Sequence, residues 1–333
     1  MTPAAPPPSA PITDPDHIPV LLTEVVDGLA PRDGGLYVDG TFGAGGYTQA
    51  ILKAAQCTVW AIDRDPEALE RGHALAESYP GRLHLVHGRF GDLAELLIEN
   101  GVKAVHGIAL DLGISSMQVD DRSRGFSFLR DGPLDMRMEK SGMSAADAVN
   151  SLPESELEDI IRRYGEERYA RRVAHAIVRA RKTRPFSRTI HLADTIRAEV
   201  RRSQDGIDPA TRTFQALRIY VNDELGELER GLAGAERILA PEGRLAVVSF
   251  HSLEDRIVKT FIRDRSGRGP NPSRHRPTLN DSGNTVTFKM VNNRAITPSK
   301  REVRDNPRAR SARLRIAERT PVPPLTSVGG SRS

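Results

Sequence analysis

Before Ile114 the chain carries four short apolar runs, LYVDG, TVWAIDRD, LHLVHG and GIALDLG, and this feature constrains its fold more than any other. Helical patterns beginning near Tyr47, at Pro66 and over Leu93 to Glu99 separate the runs. Strand and helix alternating at this spacing build a parallel sheet wound by right-handed crossovers, with helices on both faces. After Asp111 the alternation stops. The next comparable strand is RLAVVSF, Arg244 to Phe250, and the roughly 130 residues between them exceed an ordinary crossover.

Two patterns fill that gap. Phe214, Leu217, Val221, Leu225, Leu228, Leu232, Ala235 and Leu239 recur at spacings of three and four, which predicts one long amphipathic helix ending at PEG and leading back to the sheet. From about Ser116 to Pro209 the sequence is helical and offers no convincing strand, so an inserted all-helical domain is expected there. Ser151 is its expected cap for a helix opening at Pro153 and Glu154. Near the end, TVTFKMV and ARLRIAER alternate apolar and polar positions and suit an antiparallel hairpin at a sheet edge, with Leu314 and Ile316 facing one way and Arg313 and Arg315 the other. The expected organisation is a tail over 1–19, a discontinuous α/β domain over 20–115 and 210–319, the helical insert over 116–209, and a second tail over 320–333.

Composition removes several classes of function. Cys57 is the only cysteine, which excludes an internal disulfide and a thiolate metal cluster; no metal is expected, and a reducing cytoplasm is. No apolar run approaches the roughly twenty residues of a spanning helix, and mean hydropathy is −0.43, so no membrane partner is expected. The opening residues are rich in Pro and Ala and lack Lys and Arg, unlike a signal peptide. Net charge is +4, but unevenly spread. Ser151 to Tyr220 holds about 15 basic against about 10 acidic residues, and Arg263 to Arg319 about 15 against about 5. Two basic segments on an otherwise acidic chain point to a localised polyanion footprint, or to Arg-rich solvated faces.

The stretch VDGTFGAGG bears on ligand chemistry. Gly43, Gly45 and Gly46 allow a tight turn at the end of the first strand, so a ligand can touch main-chain N–H groups. The second strand ends at Asp63, an acidic residue placed to hold two ribose hydroxyls; the bland alternative is a tight turn with an N-capping Asp before Pro66. The spacing departs from the dinucleotide pattern G-x-G-x-x-G, and Asp39 before the loop repels pyrophosphate while it attracts a cationic sulfonium. S-adenosylmethionine is therefore favoured over a nicotinamide dinucleotide.

The segments VDGTFGAGGYT, AIDRDPEAL, HGRFGDL, LDLGISSMQVDDRSRGFSFLRDGPLDMRM, YGEERYARR, PATRTFQALRIYVNDEL, VVSFHSLEDRIVK and NPRARSARLRIAER resemble the family of bacterial small-subunit ribosomal RNA methyltransferases (RsmH, also MraW) that modify cytosine N4. The resemblance runs from about His17 to Arg319. It implies a class I, Rossmann-like S-adenosylmethionine-dependent methyltransferase sheet with an inserted helical domain, and a substrate cytidine in 16S ribosomal RNA at the decoding centre of the small ribosomal subunit. Carried over by motif, the cofactor contacts are Gly45, Gly46, Tyr47, Asp63, Phe90, Asp111 and Gln118. Tyr47 and Met117 stand where relatives often have His and Pro.

Cytosine N4 is a poor nucleophile because its lone pair is shared with the ring, so the enzyme must accept its N–H bonds as the methyl arrives. Many amino-methyltransferases use an acidic or polar residue followed by two prolines and an aromatic after the fourth strand. Asp111 has the acidic head without the prolines, and is open to cofactor contact, substrate contact or both. Ser249 and His251, after the fifth strand, are further catalytic candidates; for His251 a helix-capping role is the alternative. Phe126 and Phe128 interleaved with Arg124 and Arg137 suit an unpaired base and its phosphates, or else plug the seam between sheet and insert. Two other functions fit the same residues: a DNA cytosine-N4 methyltransferase, and a non-catalytic nucleic-acid-binding protein with the cofactor as effector. Oligomeric state is left open between monomer and homodimer.

Overall fold

A computed structural model describes residues 19–200, 206–268 and 286–325. Most of the expected tails, and most of the Gly/Pro/Arg-rich stretch after Arg263, lie outside them. Helix α1 (Leu22–Leu29) precedes strand β1 (Leu36–Asp39), followed by α2 (Gly46–Ala54), β2 (Thr58–Asp63), α3 (Pro66–Ser78), β3 (Leu83–His87), α4 (Leu93–Glu99) and β4 (Val105–Asp111). Six helices come next: α5 (Ser116–Asp120), α6 (Ala145–Ser151), α7 (Glu154–Gly165), α8 (Ala170–Arg181), α9 (Thr189–Glu199) and α10 (Thr211–Asn222). The chain then runs through α11 (Glu224–Ile238), β5 (Leu239–Ser249), α12 (Ser252–Arg265), β6 (Phe288–Met290), α13 (Lys300–Asp305) and β7 (Arg313–Arg319).

The seven strands form one sheet in the order β3-β2-β1-β4-β5-β7-β6. The first five are parallel, and β7 runs antiparallel to both β5 and β6. Successive residues on a strand point to opposite faces, and the two cores divide accordingly. Tyr37, Ala61, Ala109 and Ala246 join α1, α2 and α3 on one face. Their neighbours Val38, Ile62, Leu110 and Val247 join α4, α11 and α12 on the other. Leu314 and Ile316 are buried while Arg313 is exposed, which is the alternation expected for the final strand.

A third core, free of strands, is built by α6 to α10 with Phe126, Leu134 and Met136. Here three expectations are corrected. The predicted long helix is two: α10 ends at Asn222 and α11 starts at Glu224, with Asp223 between them in the left-handed region at φ 51°. Phe214 and Leu217 belong to the helical core while Leu228 and Leu232 belong to the sheet, so one apolar stripe serves two bodies and must turn between them. Ser151 does not cap the next helix. It closes α6, its hydroxyl donating to the Asp147 carbonyl (2.6 Å), and α6 is itself opened by a Ser144/Asp147 capping box. The PEG stretch, expected to lie before the strand, falls inside β5, where Glu242 takes φ 65° and the pairing with β4 slips.

The segment from Arg122 to Lys140 is bolted to the sheet by buried charge. Arg124 donates to Asp65 (2.8 Å) and to the Met138 carbonyl (2.7 Å). Arg64, at the end of β2, donates to Glu227 (2.7 Å), Glu139 (2.9 Å) and the Asn222 carbonyl (3.0 Å). Asn222 returns two bonds, accepting from Met138 N–H and donating to the Met136 carbonyl. Among the described residues, no helix is long and apolar enough to cross a membrane.

Candidate active site

At the carboxyl ends of β1, β2, β4 and β5 the sheet opens into a crevice of about 1270 Å³, counting its mouth. This is where ligands gather in open parallel sheets, because the crossovers on either side of the central strand diverge there. Gly43 borders it at φ 53°, donates its N–H to Asp63 Oδ2 (2.8 Å), and has nothing within 3.8 Å of where a Cβ would stand. The other two loop glycines answer to the protein itself. A Cβ on Gly45 would strike the Phe42 ring at 2.9 Å, and one on Gly46 would strike Pro19 at 2.2 Å. The expectation that Gly45 meets a ligand is therefore corrected, and at Gly46 it is Pro19 that excludes a side chain. Gly46 borders the crevice by its main chain; Gly45 is not part of the wall.

Asp63 uses both carboxylate oxygens on backbone, accepting from Gly43 and from Asp65 N–H (2.8 Å), and burial raises its pKa. Tyr47 is buried, with its hydroxyl donating to the Val20 carbonyl. Gln118 donates to Asp65 Oδ2 (2.8 Å) and closes a capping box with Ser115 at the start of α5. Phe90, Tyr47, Asp63 and Gln118 all border the crevice. Asp39 does not. Its carboxylate lies behind the loop, accepting from Thr48 Oγ1 (2.7 Å), Thr48 N–H (3.1 Å) and Thr41 N–H (3.2 Å), where it orders the turn instead of meeting a ligand directly.

Burial pushes the Asp39 carboxyl up to about 6, Thr48 and Thr41 opposing the rise and Asp63 adding to it. A folded-state pKa above the unfolded value means that the native state holds the extra proton, so this group's contribution falls as pH rises from about 4 to 6. Asp39→Asn keeps an acceptor for Thr48 and removes the titration. Relative to the variant, the parent should lose on the order of 3 kcal/mol across that window. Urea midpoints of both proteins at pH 4, 5, 6 and 7 check this, and parallel curves would refute it.

Asp111 stands at the end of β4 on the crevice wall. Its N–H donates to Thr41 Oγ1 (2.7 Å), yet its buried Oδ1 has no hydrogen-bond partner among the described residues. Burial raises its pKa well above the carboxylate range, and the nearby Asp39 and Glu254 push the same way. Glu254 is the opposite case. Although desolvation works against it, His251 and Arg218 hold its carboxyl below the usual range, and it accepts from Phe250 N–H (2.8 Å). Two carboxyl groups on one wall are thus driven toward different protonation states.

The other catalytic candidates sit elsewhere. Ser249 is buried with its hydroxyl on the Arg313 carbonyl (3.3 Å), inside the β5–β7 seam and not on the crevice wall. His251 is the cap of α12, accepting from Glu254 N–H, so the capping alternative holds. Glu224, His251 and Glu254 approach within 4.8 Å, but Arg218 grips Glu224 with two bonds of 2.8 Å and Glu254 is spent on capping. The proposed RNA-binding set is also spoken for. Phe126 is buried in the helical core, Phe128 packs edge-on against Phe214 at 4.7 Å, Arg124 is the buried strut, and Arg137 is paired to Asp135 (2.7 Å). Of the four only Arg124 crosses to the sheet; the two rings fill the helical core and do not plug the seam, Arg137 is held within its own segment, and the expectation of a base-gripping set is corrected. The sequence reading missed Glu254, Arg308 and Asn306 on the wall. The H-S-L-E spacing of a capping box was the available signal for Glu254.

A family model described as the MraW methylase family matches residues 14–320. The chain belongs to that family. Ribosomal RNA small subunit methyltransferase H of Paramagnetospirillum magneticum is 62% identical over 312 residues, covering 94% of this chain and 98% of that one. The protein of the same name from Rhodospirillum centenum is 62% identical over 307 residues, covering 92% and 93%. Members of the family are S-adenosylmethionine-dependent methyltransferases, and the seven-stranded sheet with β7 reversed between β5 and β6 is a class I methyltransferase sheet.

Proposed function

We propose that the chain methylates the exocyclic N4 amine of one cytidine in 16S ribosomal RNA, at the decoding centre of the small ribosomal subunit. The observation that carries this is Asp111 Oδ1, a buried acceptor without a partner among the described residues, on the wall of a crevice that also contains a strand-end carboxylate, Asp63. An unpartnered buried oxygen costs stability, and a site that retains one has a use for it.

The residues present fit the cofactor. Asp63 spends one lone pair of each oxygen on backbone and keeps others for two ribose hydroxyls. Gly43 offers open main chain beside it, and Gly46, Tyr47, Phe90 and Gln118 complete the wall. Bound there, S-adenosylmethionine supplies an electrophilic methyl group. Asp111 Oδ1 accepts a hydrogen bond from the cytosine N4 amine, which draws the lone pair out of the ring and aims it; as the bond from N4 to the methyl forms and the bond from methyl to sulfur breaks, the surplus N4 proton passes to solvent at the crevice mouth. Glu254 fixes the N–H groups of Phe250 and His251 and so orders the rim beside Asp111. A base inside a duplex cannot reach such a crevice, so the cytidine enters unpaired or flipped out.

Labelled S-adenosylmethionine and small subunits from a strain lacking this gene test the reading. Label is expected in N4-methylcytidine by nucleoside mass spectrometry; label in another nucleoside, or in none, would overturn it. Asp63→Ala should weaken S-adenosylhomocysteine binding at least about 100-fold by calorimetry, since two bonds to a charged acceptor contribute about 1.5–3 kcal/mol each. Binding within threefold of the parent would remove Asp63 from the cofactor site.

A further inference from the structure

The turn between α7 and α8 is tied to the sheet by its own capping residue. Glu166 caps α7 at φ 48°, a left-handed conformation that a non-glycine residue adopts at a cost. Its carboxylate crosses to the sheet, accepting from the Ser252 hydroxyl and from Arg256 (3.0 Å) at the start of α12. Ser252 lies two residues from Phe250 and two from Glu254, both on the crevice wall, so the strained residue fastens this turn to the rim. The far side of the turn is fixed as well. Glu167 is buried and accepts from Tyr169 N–H (2.8 Å), and Gly165 packs so closely on α10 that a Cβ would fall 2.5 Å from the Arg212 carbonyl.

What this rigid turn presents is Tyr169, 47% exposed, with the Arg168 guanidinium 5.8 Å over its ring. Arg168 precedes α8 and Arg171 stands in its first turn, and among the described residues neither has an acidic partner within ion-pair distance. An exposed aromatic ring under a guanidinium, with a second arginine, Arg171, in the helix turn that follows, is the chemistry that stacks a nucleobase and holds its phosphates. It is also a low-entropy platform, because the backbone beneath it is already ordered.

Resting on the reading that the substrate is RNA, we propose that Tyr169, with Arg168, is the stacking platform for a nucleotide flanking the target cytidine as that base enters the crevice. Tyr169→Ala should raise KM for undermethylated small-subunit RNA about 5- to 100-fold, with kcat and the Kd for S-adenosylhomocysteine unchanged, and Tyr169→Phe should restore it. Tyr169→Trp gives a direct reading: its fluorescence should be quenched on titration with protein-free small-subunit RNA, measured as the difference from the parent, whose half-buried Trp60 is stacked on His84 of the neighbouring strand. A KM within twofold for Tyr169→Ala, an equal loss in Tyr169→Phe, or unquenched Trp fluorescence would each overturn the platform. So would a loss seen with assembled subunits and not with naked RNA, because the turn would then dock on a ribosomal protein. If the parent bound RNA and quenching occurred without methylation of cytidine, the reading of the reaction would fail and the platform would stand.

Discussion

Asp111→Ala is expected to lower single-turnover methylation about 1,000-fold while the folded protein becomes more resistant to urea. The two effects have one cause. Oδ1 is buried and unpartnered, so the carboxyl is retained at a thermodynamic loss, and its raised pKa records the same desolvation. Removing the group relieves that loss and removes the unpartnered acceptor proposed to take an amine hydrogen, a contribution of the size general acid–base groups make. Because its folded pKa lies above the unfolded value, Asp111 weakens the fold increasingly as pH rises through the carboxylate range, so the gain in the variant should be larger at pH 8 than at pH 4. Asp111→Asn separates the roles: an amide oxygen still accepts a hydrogen bond, and activity should recover partway. Calorimetry with S-adenosylhomocysteine completes the test. If the whole deficit of Asp111→Ala appears as lost cofactor affinity, Asp111 is a cofactor ligand and not the amine acceptor.

Arg64→Ala should destabilise the protein by about 3–5 kcal/mol, the cost of breaking a buried ion pair from one side. Arg64 satisfies Glu227, Glu139 and the Asn222 carbonyl at once, and the Glu227 side chain is only 1% exposed. Burial already pushes Glu227 up to about 7, with Arg64 pulling the other way. Without the arginine that carboxyl must be protonated in the folded state at neutral pH. Its native pKa then stands further above its unfolded value, so the variant's deficit should shrink as pH falls from 8 to 6. Urea midpoints at the two pH values decide it, and a deficit independent of pH would show that Glu227 is not the group left stranded. Adding Glu227→Gln to Arg64→Ala should return part of the stability, as coupled neighbours do.

Both predictions turn on contacts that the sequence does not announce. Strand alternation, the glycine turn and Asp63 were legible because each is local: a period of two, a φ above zero, an acid at a strand end. The long-range struts were not. Arg64 and Glu227 lie 163 residues apart, Arg124 and Asp65 59 apart, and nothing in RGFSFLRDGPLDMRM distinguishes an arginine reaching inward from one reaching for phosphate. The single helix expected over Phe214 to Leu239 failed for a related reason. Apolar spacing reports that a face is buried, not against what, and the break at Asp223 is visible only once two separate cores are known. Likewise glycine in a loop states that a side chain is not tolerated, and Gly46 shows that the intolerant neighbour can be Pro19.

The placement of the helical body between β4 and β5 also has a meaning for biosynthesis. When Asp111 leaves the ribosome, the apolar β4 has its β1 neighbour, but the edge meant for β5 stays open until residue 239 and beyond are made. At about 5–20 residues per second, the roughly 130 residues between β4 and β5 take roughly 6–25 s, during which a Val/Ile/Leu-bearing strand edge is available to other nascent chains. Shelter of that edge by a chaperone, or slow decoding placed after the insert, would govern yield of this protein without touching its finished structure.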